Sequence, residues 1–314
     1  MVIRSQNAAN NASHPQPIGV VGLGLVGCAL ASRLNLAGYS CLGFDLNPEA
    51  MASFGAKGYQ TAISLNQLTT QVDTLVLTVF DTNGVLQVVE KILHGQSVPT
   101  DSQYSMPLGK LTLIDCSTGD PELLEVLSAK LKKIGVQFIE APLSGSSHQI
   151  EEGEATMLLG GEVADIQSAN NILSALANTK IHVGPAGMGA RAKLATNLVL
   201  GLNRAALAEG MVFAESLGIP PASFLQLVLA TPARSEAAKV KGAMMVNKQY
   251  DPQSRIRQHL KDVQLMLGMA QHAGQNLPLS QVHSDLMHKA IEAGDGELDN
   301  AAIVEQIRRE KLAP

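Results

Sequence analysis

Cysteine is scarce in this 314-residue chain, and the three present, Cys28, Cys41 and Cys116, stand far apart. They form neither a C-x-x-C pair nor a secreted disulfide framework, which points to a reducing cytoplasm. A basic surplus is missing too. The 23 Lys and Arg against 28 Asp and Glu leave a formal charge of −5, and no cationic block is there to neutralise a nucleic-acid backbone. No apolar run approaches the roughly 18 residues of a membrane span. The first sixteen residues, MVIRSQNAANNASHPQ, lack the apolar core of a signal peptide and read as a disordered tail. The eight histidines show no H-E-x-x-H spacing and no neighbouring cysteine cluster, so no metal site is expected. Neither nucleic acid nor membrane is an expected partner. What is present, 46% hydrophobic and 16% charged residues with 28 Gly and 14 Pro, excludes collagen, coiled coil and wholesale disorder. It suffices for one big domain or two ordinary ones.

From residue 17 the chain alternates short β-branched or leucine-rich runs with segments of helical period, the pattern of a parallel sheet covered by helices. Strands are expected at 18–21, 40–44, 74–80, 111–115, 136–140, 156–159 and 180–183. Helices are expected at 25–37, 84–93, 121–134 and 163–177, with a long surface loop over 94–110. The character changes near Gly184-Pro185. From Gly187 to Leu217 one run rich in Ala, Leu, Met and Val reads as a single helix, closed by Gly218 and Pro220-Pro221. Everything after it reads as helix, over 222–230, 235–246, 256–273, 281–293 and 301–311. The expected organisation is a tail over 1–16, a Rossmann-type α/β domain over 17–184, and an all-α domain over 185–314 hung on the long interdomain helix. So apolar a helix is expected to pack against both domains or against a second subunit.

The segment Gly22-Leu-Gly24-Leu25-Val26-Gly27 places G-x-G-x-x-G directly after an apolar strand and before a helix. Gly22 permits the tight turn, Gly24 lets backbone approach a pyrophosphate, and Gly27 allows close helix–strand packing, with the helix N-terminus facing the phosphates. The next strand ends in Asp45, eighteen residues beyond Gly27. That is close to the ~20 expected of the carboxylate that binds the adenosine ribose 2′-hydroxyl. Asp45-Leu-Asn47-Pro48 is also a helix-start pattern, and the two roles are compatible. No arginine follows Asp45 closely, so NAD is expected in preference to NADP.

Further along, Lys193 and Asn197 are four apart on the long helix and share a face, while Arg191 points roughly the opposite way. A buried amine whose pKa is lowered towards neutrality can relay the proton that hydride transfer at an adjacent carbon requires. Lys193 is the candidate acid/base, and Asn197 either holds the same substrate oxygen or fixes the lysine. The bland alternative is a surface lysine paired with nothing. Ser144-Gly145-Ser146-Ser147 follows a strand and Pro142, and successive N–H groups in such a turn suit a carboxylate; an ordinary turn has the same composition. Thr118 is expected at the carboxyl ends of the sheet, where ligands bind, or as the N-cap of the helix entered through Pro121.

Taken in order, these blocks resemble the β-hydroxyacid dehydrogenases, the 6-phosphogluconate dehydrogenase-like family that includes 3-hydroxyisobutyrate dehydrogenase, tartronate semialdehyde reductase and L-threonate dehydrogenase. Besides the fingerprint, Asp115-Cys-Ser-Thr118 is similar to the family's D-x-S-T and Glu140-Ala-Pro-Leu-Ser144-Gly145-Ser146 to D-A-P-V-S-G-G. Gly187-Met-Gly189-Ala-Arg-Ala-Lys193-Leu-Ala-Thr-Asn197 is similar to G-x-G-x-x-x-K-x-x-x-N, Lys261-Asp262 to K-D-L, and Gly294 with Asp299 to a final G-x-x-x-x-D. Ser146 stands in place of the second loop glycine, and Ser254 and Gln258 where many members have Phe and Leu.

The resemblance implies an NAD-dependent oxidoreductase acting on a small 3-hydroxy carboxylate, assembled as a homodimer or homotetramer. It implies that Phe80 contacts the cofactor and that Lys261 lies beside the nicotinamide; on physical grounds alone Lys261 can equally be a solvated charge. Ser144, Gly145, Ser146, Lys193 and Asn197 are the implied substrate contacts. A sensor that binds a dinucleotide without chemistry would not need Lys193, Asn197 and the Ser144 turn together. Imine-reducing relatives usually lack the lysine.

Overall fold

The computed structural model describes residues 2–4, 16–95 and 110–310, and it divides into two compact units, Met1–Lys193 and Leu194–Pro314, taken here one at a time. In the first, strand β1 (Val2–Arg4) precedes the alternation that begins with β2 (Ile18–Val21), α1 (Leu25–Leu36) and β3 (Cys41–Phe44). There follow α2 (Pro48–Ala56), β4 (Gln60–Thr61), α3 (Leu65–Gln71), β5 (Thr74–Leu77) and α4 (Thr82–Gly95). Next come β6 (Thr112–Asp115), α5 (Pro121–Lys133), β7 (Gln137–Glu140), β8 (Leu143–Ser144) and α6 (Ser147–Glu151). The series closes with β9 (Thr156–Gly160), α7 (Val163–Ser168), α8 (Asn170–Leu176), β10 (Thr179–Gly184) and the start of α9 (Met188–Ser216).

The sheet runs β1-β10-β9-β7-β6-β5-β2-β3-β4. From β4 to β7 every pair is parallel, which only helices on both faces can provide. This is why β2 and β5 are buried at every residue rather than alternating. One face packs Leu30 and Leu34 of α1 and Leu173 and Leu176 of α8 over Val20, Ile114 and Ile139. On the other, Leu68 of α3, Val89 of α4 and Leu124 and Leu131 of α5 cover Leu75, Leu77 and Leu113. Burying one such side chain stabilises the fold by roughly 1.5–3 kcal/mol. β2 is central, Val20 pairing Gly43 on one side and Val76 on the other, so the strand order reverses there. That reversal opens a crevice beyond the carboxyl ends of β2 and β5.

Two expectations are corrected here. Residues 1–16 are not wholly a tail, because β-branched Val2 and Ile3 form an edge strand with Arg4, antiparallel to β10; residues 5–15 lie outside the described set, as does 96–109 of the expected loop. The helix over 163–177 is two pieces. Ala169 leaves helical geometry (φ −88°, ψ 2°), which lets Ile166 and Leu173 both reach the core. By compactness the first unit runs on to Lys193, since the first turn of α9 is held by the sheet.

The second unit continues from α9 into α10 (Pro221–Ala230), α11 (Glu236–Asn247), α12 (Ile256–His272), α13 (Pro278–Glu292) and α14 (Ile303–Arg309). Met211, Met245, Met266 and Met287 are buried among Leu207, Val263 and Val304, filling irregular gaps. A buried polar hub lies beside them. Asp299, fully buried, accepts Lys241 Nζ at 2.8 Å, Gln253 N at 2.9 Å, Ser254 N at 3.1 Å and Ala301 N at 2.9 Å. Gly294, at φ +94°, ends α13 in the left-handed region and turns the chain towards it.

Candidate active site

Two of the three fingerprint glycines have a steric reason. Gly22 sits at φ +94°, and a Cβ there would lie 2.4 Å from the Thr78 carbonyl oxygen; one on Gly27 would lie 1.9 Å from the Gly22 carbonyl oxygen. Gly24 differs, with nothing within 4 Å of the position a Cβ would take. It is also the N-cap of α1, which has no capping side chain and no acidic residue in its first turn, so Leu25 and Val26 begin the helix with amides left for a ligand. An open glycine at an uncapped helix N-terminus fits a pyrophosphate. Asp45 Oδ2 accepts Leu23 N at 2.6 Å and Oδ1 accepts Asn47 N at 2.8 Å, so this carboxylate ties the glycine turn to the end of β3. The helix-start role belongs to Asn47, which caps α2 by accepting Glu49 N at 2.9 Å. Thr78 clamps the turn from β5, its hydroxyl donating to the Gly22 carbonyl at 2.6 Å.

Phe80, half exposed, follows β5, and Thr118 follows β6, both at the carboxyl end of the sheet. Thr118 is not the cap of α5. Asp120 is, its Oδ1 accepting Glu122 N at 2.9 Å and Leu123 N at 3.3 Å. In the serine turn, Ser144 ends β8, and Gly145 is crowded, since a Cβ would meet Ala155 Cβ at 2.8 Å. Ser146 forms a capping box for α6: its amide donates to Gln149 Oε1 at 2.9 Å and its hydroxyl accepts Gln149 N at 3.3 Å. Part of the expected anion nest is therefore committed internally, although a hydroxyl that accepts one bond can still donate.

Lys193 and Asn197 are both buried, on successive turns of α9. Arg191 departs from that face and pairs with Glu125 of α5. In the second unit Asn197 Nδ2 donates to Asp262 Oδ2 at 2.9 Å, while Lys261 Nζ lies 3.0 Å from Asp262 Oδ1. Asp262 thus links two residues read separately from the sequence. The K-D pair is legible, but its partner across 65 residues is not. Ser254 precedes α12 by two residues and Gln258 lies in its first turn, with the Ser254 amide held by Asp299.

Glu140 is the residue the sequence reading passed over. Fully buried at the end of β7, it accepts Ala190 N at 3.0 Å and also Gly187 N. Burial raises its carboxyl above the usual glutamate range, opposed by these amides. Thiol chemistry has no candidate, since burial pushes Cys41 up to about 12 and raises Cys28 and Cys116 as well. Among the described residues no three His, Cys, Asp or Glu are grouped to hold a metal ion, and no helix is long and apolar enough to cross a membrane.

Residues 17–184 match the family described as the NAD binding domain of 6-phosphogluconate dehydrogenase, and residues 187–307 that described as NAD-binding of NADP-dependent 3-hydroxyisobutyrate dehydrogenase. The chain is 28% identical over 292 residues to 2-hydroxy-3-oxopropionate reductase of Escherichia coli (strain K12), covering 92% of this chain and 96% of that one. It is likewise 28% identical over 288 residues to L-threonate dehydrogenase of Cupriavidus necator, covering 91% and 94%. Among solved structures, 3-hydroxyisobutyrate dehydrogenase from Salmonella typhimurium superposes with a TM-score of 0.80 at 27% identity, over 92% of this chain and 99% of that one.

Proposed function

The chain belongs to the β-hydroxyacid dehydrogenase family, and from that premise we propose that it moves a hydride between a nicotinamide dinucleotide and the hydroxyl-bearing carbon of a small 3-hydroxy carboxylic acid. The cofactor, when bound, supplies the hydride acceptor or donor. Gly24, Leu25, Val26 and Asp45 hold its pyrophosphate and adenosine ribose, with Gly22 and Gly27 shaping the turn. Phe80, Thr118 and Lys261 complete its contacts. Lys193 takes the hydroxyl proton as the alcohol is oxidised and returns it in reduction, and Asn197 orients the same oxygen. Asp262 commits one N–H of the Asn197 amide and so fixes its orientation. The turn Ser144–Ser146 receives the substrate carboxylate.

The observation that carries this reading is the burial of an ammonium and an amide on successive turns of one helix rich in Ala, Leu and Val. A solvated surface lysine would not be so placed. The test is to follow NADH absorbance against a panel of hydroxy acids and semialdehydes. Oxidation of 3-hydroxyisobutyrate-like acids is expected. Reduced cofactor that binds but reacts with none of the panel would favour a non-catalytic sensor. Polar Ser146, Ser254 and Gln258 support a second reading, a sugar acid such as L-threonate or a tartronate semialdehyde. Exposed Val199 and Phe213 on α9, with Leu217 just past its end, support a homodimer or homotetramer. Three free cysteines, two of them buried, fit a cytoplasmic location.

A further inference from the structure

The long helix that carries Lys193 does not start on its own account. Its first turn enters through Gly187, at φ +87°, and a helix N-terminus leaves amides that need acceptors when buried. A carboxylate from a different element meets that need: Glu140, the last residue of β7, accepts Ala190 N at 3.0 Å and also Gly187 N. Two glycines make room for it. A Cβ on Gly160, at the end of β9, would lie 2.8 Å from Glu140 Oε2, and one on Gly189 would lie 2.9 Å from the same oxygen. Gly160 is also the residue that pairs with Glu140 across the sheet. The second glycine of Gly187-Met-Gly189 is thus explained by close packing against the carboxylate and the β9 backbone, a Cβ there also lying 3.0 Å from Gly160 N and the Leu158 carbonyl oxygen, rather than by backbone conformation, since only Gly187 of the two has positive φ.

The same strand leads in the other direction into Ala141–Ser146, the turn assigned to the substrate carboxylate. Glu140 therefore stands between two parts of the site in the first unit. We propose that Glu140 is a positioning residue for the reaction: by holding the amides of Gly187 and Ala190 it fixes the first turn of α9, and with it Lys193, against the strand that leads into the Ser144–Ser146 turn. This rests on the assignment of Lys193 as acid/base made above. Lys193 emerges three residues beyond Ala190, about 4.5 Å along the axis. A shift or rotation of the first turn is carried rigidly to the ammonium, and a displacement of about 1 Å can cost about 10²-fold in rate.

The anion has an electrostatic effect as well. A helix N-terminus is positive and disfavours a nearby ammonium, and Glu140 offsets it. Among the described residues Arg191 and Glu125 also lie at this turn, paired with each other. Glu125 raises the Glu140 carboxyl slightly further, after burial, and three backbone amides oppose both.

The test compares Glu140→Gln with Glu140→Asp in the full chain. Gln keeps the shape but presents an NH2 to an amide that needs an acceptor. It should lower kcat by about 10- to 10²-fold with the NADH dissociation constant within about twofold of wild type. The kcat/KM limb for alcohol oxidation that rises with pH should move to lower pH by about half a unit, because Lys193 loses its proton more readily without the anion. Glu140→Asp, which keeps the charge, should restore the limb to its wild-type position. Wild-type kcat and pH profile in Glu140→Gln would overturn the proposal, as would loss of stability with the surviving activity and its pH profile unchanged. Should Glu140→Gln not fold, Glu140→Asp decides, since its shorter side chain draws the carboxylate back from the two amides without removing the charge: reduced kcat with retained NADH affinity supports the proposal and wild-type kcat overturns it. A wild-type protein inactive on every hydroxy acid would instead remove the functional assignment on which the proposal rests.

Discussion

Asp45 is held by two backbone amides, yet its place at the end of β3 is where a ribose 2′-hydroxyl would be recognised. A carboxylate accepts from that hydroxyl and repels a 2′-phosphate. NAD should therefore be preferred over NADP by at least about tenfold in kcat/KM, which steady-state kinetics with both cofactors will measure; equal efficiency would show that Asp45 is not the ribose ligand. Ser146 makes a second prediction at this scale. As an N-cap replaced by glycine it should cost only a few tenths of a kcal/mol in stability. If its hydroxyl also donates to the ligand, Ser146→Gly should nevertheless change the ratio of kcat/KM for 3-hydroxyisobutyrate to that for threonate. An unchanged ratio would leave Ser146 a capping residue alone. The cap itself was legible, since Ser146-x-x-Gln149 is a capping-box pattern ahead of a short helix.

Among the elements, α9 and α12 show where reading from sequence stops. Both helices follow from their apolar period, and their ends lie within a few residues of those expected. The Asn197–Asp262 bond between them does not, because nothing local in either segment encodes a partner 65 residues away. Glu140 escaped for the same reason: its motif pointed to the loop ahead, while its carboxylate serves a helix 47 residues on. By contrast β2, β5 and the fingerprint turn were legible, since strand, glycine spacing and helix start are consecutive in the chain. Asp262→Ala should leave the buried Asn197 amide without its acceptor. The expected loss is about 1–3 kcal/mol in the stability of the second unit, seen as a lower denaturation midpoint, together with a fall in kcat. Unchanged stability would mean that Asn197 turns to another partner.

Taken as a whole, the molecule buries charge in both units. The first encloses Asp115, Glu140, Lys180 and Lys193, and the second Arg204, Lys241, Asp262 and Asp299 together with His259 and His283, whose ring centroids are 5.3 Å apart. Burial, and then the Arg204 guanidinium, lower the His283 pKa to about 4 from 6.5. A depressed folded-state pKa means that the stability carried by the neutral ring is fully present above about 6.5 and is lost as pH falls through about 4. The loss should approach about 3 kcal/mol, and His283→Gln should flatten it, as denaturation at neutral pH and near pH 4 will register. An equally steep acid loss in His283→Gln would place the titration elsewhere.

The central claim is that this chain oxidises a small 3-hydroxy carboxylate through a proton relay at Lys193. Its most direct test is the initial rate of NADH formation from 3-hydroxyisobutyrate and from threonate, with wild type and Lys193→Ala each saturated with NAD. The account predicts turnover by the wild type on at least one of the two acids. It predicts a loss of about 10²–10⁴-fold in kcat for the variant, with NADH affinity nearly unchanged. A variant that keeps more than about a tenth of wild-type turnover with hydride transfer rate-limiting, or a wild type that prefers a phosphorylated or carboxylate-free alcohol, would contradict it.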